Sequence, residues 1–293
     1  MKRVMKREYG LRLFFGETTQ ERFERFVIGL SIVGFLVHLA LIGAYHLNWL
    51  DFGDQSQEFL KSPISALYTP FSFILIYEVY LLVAQLPRSF TSSVQKQYEI
   101  IALILIRRIF KDISHLHLDE NWLQSAENYT LALDIAIFLA LFFLIYLFRK
   151  QRNNAASRES PKDYQAFINI KKWISISLVP VLVVLIFYEF GSWLFELNQF
   201  RAGIISELTD VNQIFYHDFF MILICVDVLI LLLSLSYIQN YNQLIRNSGY
   251  IVSTVLIRLS FTVEGVYNSI LILLGVAFGV ALLFIYNLVE KTE

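Results

Sequence analysis

The stretch YHDFFMILICVDVLILLLSLSYI, from Tyr216 to Ile238, is the clearest sign of the fold, because a long apolar run carries Asp227 in its interior. An α-helix needs about 20 apolar residues to cross the ~30 Å hydrocarbon core of a bilayer. A charged side chain at the centre of such a helix costs about 2.5–3.5 kcal/mol on insertion scales, so it is expected to be paired or functional. The stretch therefore predicts a transmembrane helix with a buried, partnered aspartate.

Apolar runs of this kind recur along the whole chain of 293 residues. The hydrophobic share is 56% and the mean hydropathy is +0.55, whereas soluble domains are about 45–50% apolar. We predict an all-α integral membrane protein with about eight transmembrane helices. The predicted spans are Phe26–Leu47, Ile64–Gln85, Gln97–His117, Tyr129–Phe148, Trp173–Glu196, Tyr216–Ile238, Gly249–Val266 and Ser269–Val289.

The polar segment 149–172, RKQRNNAASRESPKDYQAFINIKK, is the best candidate for a linker. It separates a first repeat of four spans, 26–148, from a second, 173–293, behind an N-terminal tail, 1–25. Because four is an even number, the two repeats are predicted to lie parallel, in the same orientation.

Basic residues indicate the orientation of the spans. Most of the 24 Lys and Arg fall in the tail, in the linker and in loops on the same side, whereas the opposite loops are acidic. The positive-inside rule then places both termini in the cytoplasm. We expect no cleaved signal peptide, since the first apolar run is long enough to serve as a retained anchor.

Charges inside the spans occur twice in the same arrangement. Glu78 and Arg107 lie in the second and third spans, and Asp227 and Arg258 lie in the sixth and seventh. At 1.5 Å per residue, all four are ~12–16 Å from the cytoplasmic end of their spans. We therefore predict two interhelical pairs, Glu78–Arg107 and Asp227–Arg258, because a guanidinium can bind a carboxylate bidentately in a dry site. Such pairs either lock the helix packing or form a gate, proton site or ion path, and the sequence leaves both open.

A supporting polar network is predicted around the third span. Arg108 and Asp112 are four residues apart and can pair along one helix. Asp134 in the fourth span can complete the network of Arg108 or Lys111, whereas Glu189 has no obvious partner in the sequence.

Signatures of enzymes and cofactor sites are missing from the sequence. It contains no P-loop, GxSxG, HExxH or dinucleotide fingerprint. His38 lies in mid-span, but a second mid-membrane histidine for haem is lacking. We expect no enzymatic activity, no metal, no cofactor and no nucleic-acid partner. The expected partner is the lipid bilayer, with another membrane protein or a second copy of the chain as further candidates.

Two short segments resemble a known family. The segments are YEVY at 77–80 and IRRIFKD at 106–112. Both are similar to the phosphate-starvation-inducible protein E (PsiE-like) family. In that family a glutamate flanked by aromatic residues is followed by a helix that carries an arginine and, five residues later, an aspartate. In the second half, Asp227 stands in place of the glutamate and Arg258 is kept. Val263 replaces the aspartate.

The resemblance implies a fold and a setting rather than an activity. Members of this family are small four-span bacterial membrane proteins without a settled molecular activity, so the chain resembles a tandem duplication with a diverged second copy. The implied setting is the bacterial inner membrane, or a related internal membrane, in a stress response such as phosphate starvation. Two function classes follow as expectations: an accessory or regulatory subunit that binds other membrane proteins, or an ion or proton channel, transporter or voltage-responsive module that uses the buried pairs. A helix with Arg at every third residue, as in voltage sensors, is absent from the sequence.

Overall fold

The computed structural model describes residues 16–47, 63–114, 126–154, 162–201, 211–237, 240–263 and 266–292. Within these ranges the chain forms α-helices and one short 3₁₀ turn, Pro63–Leu67, and no strand. The all-α prediction is therefore confirmed for the described residues. The helices are α1 Glu17–His46, α2 Tyr68–Gln85, α3 Phe90–Ser114, α4 Ala126–Asn154, α5 Lys162–Arg201, α6 Val211–Leu235, α7 Tyr241–Ser260 and α8 Val266–Thr292.

Five of these helices are long and apolar enough to cross a membrane, and they support the prediction of a multi-pass membrane protein. The five candidate spans are Thr18–His46, Asn128–Asn153, Ala166–Tyr188, Asp218–Leu235 and Val266–Thr292. The apolar part of α2, Thr69–Gln85, is shorter, and α3 and α7 carry more polar residues. The predicted count of eight transmembrane helices stays a prediction for these three.

Several helices extend beyond their predicted spans. The α4 helix continues to Asn154 and α5 begins at Lys162, so both enter the predicted linker 149–172. The α3 helix begins at Phe90 rather than at Gln97. The physical reason is that hydropathy marks only the part of a helix that suits hydrocarbon, whereas the backbone hydrogen bonds continue through polar residues.

The chain divides into two compact units. Unit 1 comprises Met1–Ala84 and Glu99–Phe142, and unit 2 comprises Gln85–Tyr98 and Phe143–Glu293. The beginning of α3 and the end of α4 thus belong to unit 2 together with α5 to α8. The organisation into two four-helix repeats stays a prediction.

In unit 1, side-chain contacts hold α1 against the segment that leads into and through α2. His38 Nδ1 lies 2.6 Å from Thr69 Oγ1. The Tyr77 hydroxyl donates to Glu24 Oε2 at 2.9 Å. His38 therefore makes a contact between elements within this unit.

In unit 2, glycines allow α7 and α8 to pack closely. Gly275 and Gly279 are spaced four apart on α8, the small-residue spacing that lets membrane helices approach. A methyl group on Gly275 would lie 2.8 Å from Ile257 Cγ1, and one on Gly279 would overlap the Tyr98 hydroxyl and lie 3.0 Å from Ser253 Oγ. Because both positions are glycine, the side chains of Tyr98 on α3 and of Ile257 and Ser253 on α7 can pack directly against α8.

Two hydroxyl groups and a backbone carbonyl form a chain of hydrogen bonds at this close contact. Ser253 Oγ donates to the Gly275 carbonyl at 2.7 Å and lies 2.6 Å from the Tyr98 hydroxyl. Because the single hydroxyl proton of Ser253 is directed to the carbonyl, Tyr98 is the donor in the second bond. The chain ties α3, α7 and α8 together within unit 2.

Candidate functional site

Asp227 and Arg258 form a buried ion pair between α6 and α7. Arg258 Nη1 lies 2.7 Å from Asp227 Oδ2, and the two side chains are only 3% and 5% exposed. These helices are neighbours in unit 2. Since an unpaired charge in such a place is strongly unfavourable, each residue accounts for the burial of the other.

Two neutral polar side chains complete the immediate surroundings of the pair. Thr254 lies one helical turn before Arg258, and its hydroxyl shares one proton between the Ile251 carbonyl at 3.0 Å and Asp227 Oδ2 at 3.3 Å. Arg258 Nη2 donates to Gln97 Oε1 at 3.1 Å. The guanidinium therefore connects α6, through its ion pair with Asp227, to the first part of α3, through its hydrogen bond to Gln97.

Lys171 brings a second cation to the same region. It lies on α5 in the polar segment predicted as a linker, yet the residue is only 2% exposed. Its Nζ donates to the carbonyl of Arg88 and lies 4.8 Å from the ring centroid of Phe90 and 5.7 Å from that of Phe167. Cation–π contacts with these rings compensate in part for the water that the ammonium loses.

A small crevice of about 20 Å³ joins Lys171 to the ion pair. Leu86, Phe90, Val94, Ile230 and Ile251 supply its apolar lining, and its polar lining consists of Ser93, Gln97, Lys171, Asp227 and Thr254. We call Asp227, Arg258, Thr254, Gln97 and Lys171 the Asp227 cluster. It holds two cationic side chains and one carboxylate.

In unit 1, Arg108 and Asp134 form a second ion pair between α3 and α4. Arg108 Nη2 donates to Asp134 Oδ1 at 3.1 Å. Asp134 is 2% exposed at its side chain, whereas Arg108 is 28% exposed. The sequence analysis named Arg108 and Lys111 as candidate partners of Asp134, and the structure shows Arg108 in contact with it.

Glu78 and Arg107 are both buried in unit 1, at 2% and 7% exposure. Arg107 Nη1 donates to the carbonyl of Phe71 at 3.5 Å, and the Phe71 ring stacks on Phe110 at 4.8 Å. The pairing of Glu78 with Arg107 stays a prediction.

Three further predicted network residues differ in how far the structure describes them. Asp112 is half-buried near the end of α3. The side chains of Lys111 and Glu189 lie outside the described residues, although both positions are helical.

The sequence analysis missed Lys171, Gln97 and Thr254 as members of the site. Thr254 stands four residues before Arg258, so helical spacing alone places both on one face and could have indicated it. Gln97 and Lys171 offered no such signal, because each reaches the cluster from a helix distant in sequence.

The ion pair in unit 1 gives a first prediction. Asp134→Asn is expected to lower the free energy of unfolding by about 1–3 kcal/mol, because it removes the carboxylate that receives the Arg108 guanidinium. Chemical denaturation in lipid nanodiscs measures the change. Glu21→Gln, at the exposed Glu21–Arg25 contact of 3.8 Å, is the control. It is expected to change stability by only a few tenths of a kcal/mol. Equal effects from the two variants would contradict the prediction.

Comparison with known proteins gives no match to the chain from family models, curated proteins or solved structures.

Proposed function

We propose that this chain is a non-enzymatic multi-pass membrane protein that serves as an accessory or regulatory subunit and binds other membrane proteins. The supporting observation is that the carboxylate of Asp227 is committed to Arg258 and Thr254 on the neighbouring helix. A charge held in this way fixes the packing of helices. It favours a rigid scaffold over a moving gate.

The size of the crevice beside the cluster supports the same reading. About 20 Å³ is room for one water molecule, so this crevice by itself does not admit a larger solute. The outer faces of α4 and α5, by contrast, expose large apolar side chains such as Phe142, Phe143, Val184 and Phe187. Such faces suit lipid or the helix of a partner.

A second candidate function is an ion or proton module. It is favoured by one observation: Lys171 and Asp227 line the same crevice, next to Arg258, so one carboxylate faces two cations. Ionisable groups buried in membrane helices frequently mark ion paths and proton relays.

The setting belongs to the proposal as well. The segments YEVY and IRRIFKD support a tandem, diverged PsiE-like protein of the bacterial inner membrane, acting in a stress response. The basic residues of the tail and of the linker support cytoplasmic termini.

Gentle extraction of the tagged chain from native membranes, followed by native mass spectrometry, tests the subunit proposal. We expect a stoichiometric membrane protein to co-elute, at a ratio that persists after dilution. Elution of the chain alone or as a homo-oligomer would contradict the proposal.

Liposome flux separates the two candidate functions. If the Asp227–Arg258 pair is a lock, Asp227→Asn lowers the midpoint of thermal unfolding and leaves proton and cation flux at the level of protein-free liposomes, as in the wild type. A flux in the wild type that Asp227→Asn abolishes would favour the ion or proton module instead.

A further inference from the structure

We propose that the crevice in unit 2 is a hydration site, in which one water molecule accepts a hydrogen bond from Lys171 Nζ and donates one to Asp227 Oδ1. Both residues line the crevice and both are at most 3% exposed. The water would connect α5 to the ion pair of α6 and α7.

The carboxylate of Asp227 has capacity for this water. Its ion pair with Arg258 and its hydrogen bond from Thr254 both end on Oδ2. Among the described residues, no hydrogen bond reaches Oδ1. A carboxylate accepts at about four lone-pair positions, so Oδ1 is able to accept a hydrogen bond from a water molecule in the crevice.

Lys171 has the complementary capacity. An ammonium carries three N–H donors, and the hydrogen bond of Lys171 to the Arg88 carbonyl uses one of them. The rings of Phe90 and Phe167 lie against the same ammonium but accept no ordinary hydrogen bond. A water oxygen is a suitable acceptor for a second donor.

The composition of the lining selects water over an ion. An anion would meet the carboxylate of Asp227, and a cation would meet the ammonium of Lys171 and the nearby guanidinium of Arg258. A neutral molecule that both donates and accepts suits this mixture, and the polar residue Ser93 lines the same crevice. Buried waters typically make about three hydrogen bonds, and the volume of about 20 Å³ fits one of them.

The wild-type chain in lipid nanodiscs, imaged at a resolution that shows ordered waters, tests the proposal directly. We expect a density peak within about 2.7–3.2 Å of both Lys171 Nζ and Asp227 Oδ1. Direct contact between the two side chains, or a crevice without a peak, would overturn the proposal.

Infrared spectra in oxygen-18 water give an independent readout. An isotope-sensitive O–H band is expected in the wild type and is expected to be lost in Val94→Leu, which fills the crevice, and in Lys171→Met, which removes the donor. Val252→Leu is the matched control, because Val252 is 49% exposed on α7 and does not line the crevice. Retention of the band in Lys171→Met would overturn the proposal even if Val94→Leu fails to fold.

Discussion

Replacing Asp227 by asparagine is expected to lower the free energy of unfolding by about 3–5 kcal/mol, the usual effect of breaking a buried ion pair. The carboxylate lies 2.7 Å from Arg258 Nη1 and also accepts a hydrogen bond from the Thr254 hydroxyl. Without it, Arg258 and Lys171 remain buried as cations in the same cluster with no carboxylate between them. Chemical denaturation in nanodiscs measures the loss.

An apolar double variant separates the penalty of an unpaired charge from the net value of the pair. Asp227→Leu combined with Arg258→Leu is expected to recover a large part of the stability that Asp227→Leu alone loses, because replacing a whole buried pair by apolar residues is frequently neutral. A double variant less stable than Asp227→Leu alone would contradict this reading.

Replacing Gly279 by alanine is expected to lower the free energy of unfolding by about 1–3 kcal/mol, and valine is expected to lower it further. The added methyl group overlaps the Tyr98 hydroxyl, which is held by its bond to Ser253. Tyr98 is fully buried, so its ring has little room to move. Thermal unfolding of the variants measures the effect.

Two controls show whether the clash is the cause. Gly29→Ala on α1 meets no atom within 4 Å and is expected to stabilise by up to about 1 kcal/mol, because alanine favours a helix more than glycine does. Tyr98→Phe removes the overlapping hydroxyl, so Gly279→Ala should cost less in that background than in the wild type. A cost that is the same in both backgrounds would contradict the assigned clash.

The sequence predicted the features that depend on hydropathy and on charge. The helical class follows from long apolar runs, and five of these runs form helices that could cross a membrane. The depths of Asp227 and Arg258 predicted a contact between neighbouring helices, and the structure places the two side chains together. An inference of this kind is possible because burying an unpaired charge is unfavourable, so few arrangements of the helices are allowed. The same argument for Glu78 and Arg107 stays a prediction.

The features that the sequence did not predict depend on which helix faces meet. Lys171 falls in the predicted linker because its neighbours in sequence are polar, yet Phe90 and the Arg88 carbonyl cover its ammonium. Gln97 carries no charge, so nothing in its own segment shows that it lies at a contact. The four-residue spacing of Gly275 and Gly279 indicates a close helix contact, but it does not show that Tyr98 and Ser253 lie against Gly279. Their roles follow from the rotation and crossing of helices, which packing decides.

A double-mutant cycle on Asp227→Asn and Arg258→Gln, measured by unfolding in nanodiscs, tests the central claim that this pair locks the helices of unit 2. If the pair is a lock, the two single losses do not add, and the coupling free energy is about 2 kcal/mol or more. The flux of ions through liposomes stays unchanged across the cycle. Additive losses, or a flux that follows the charge of Asp227 at unaltered stability, would contradict the account.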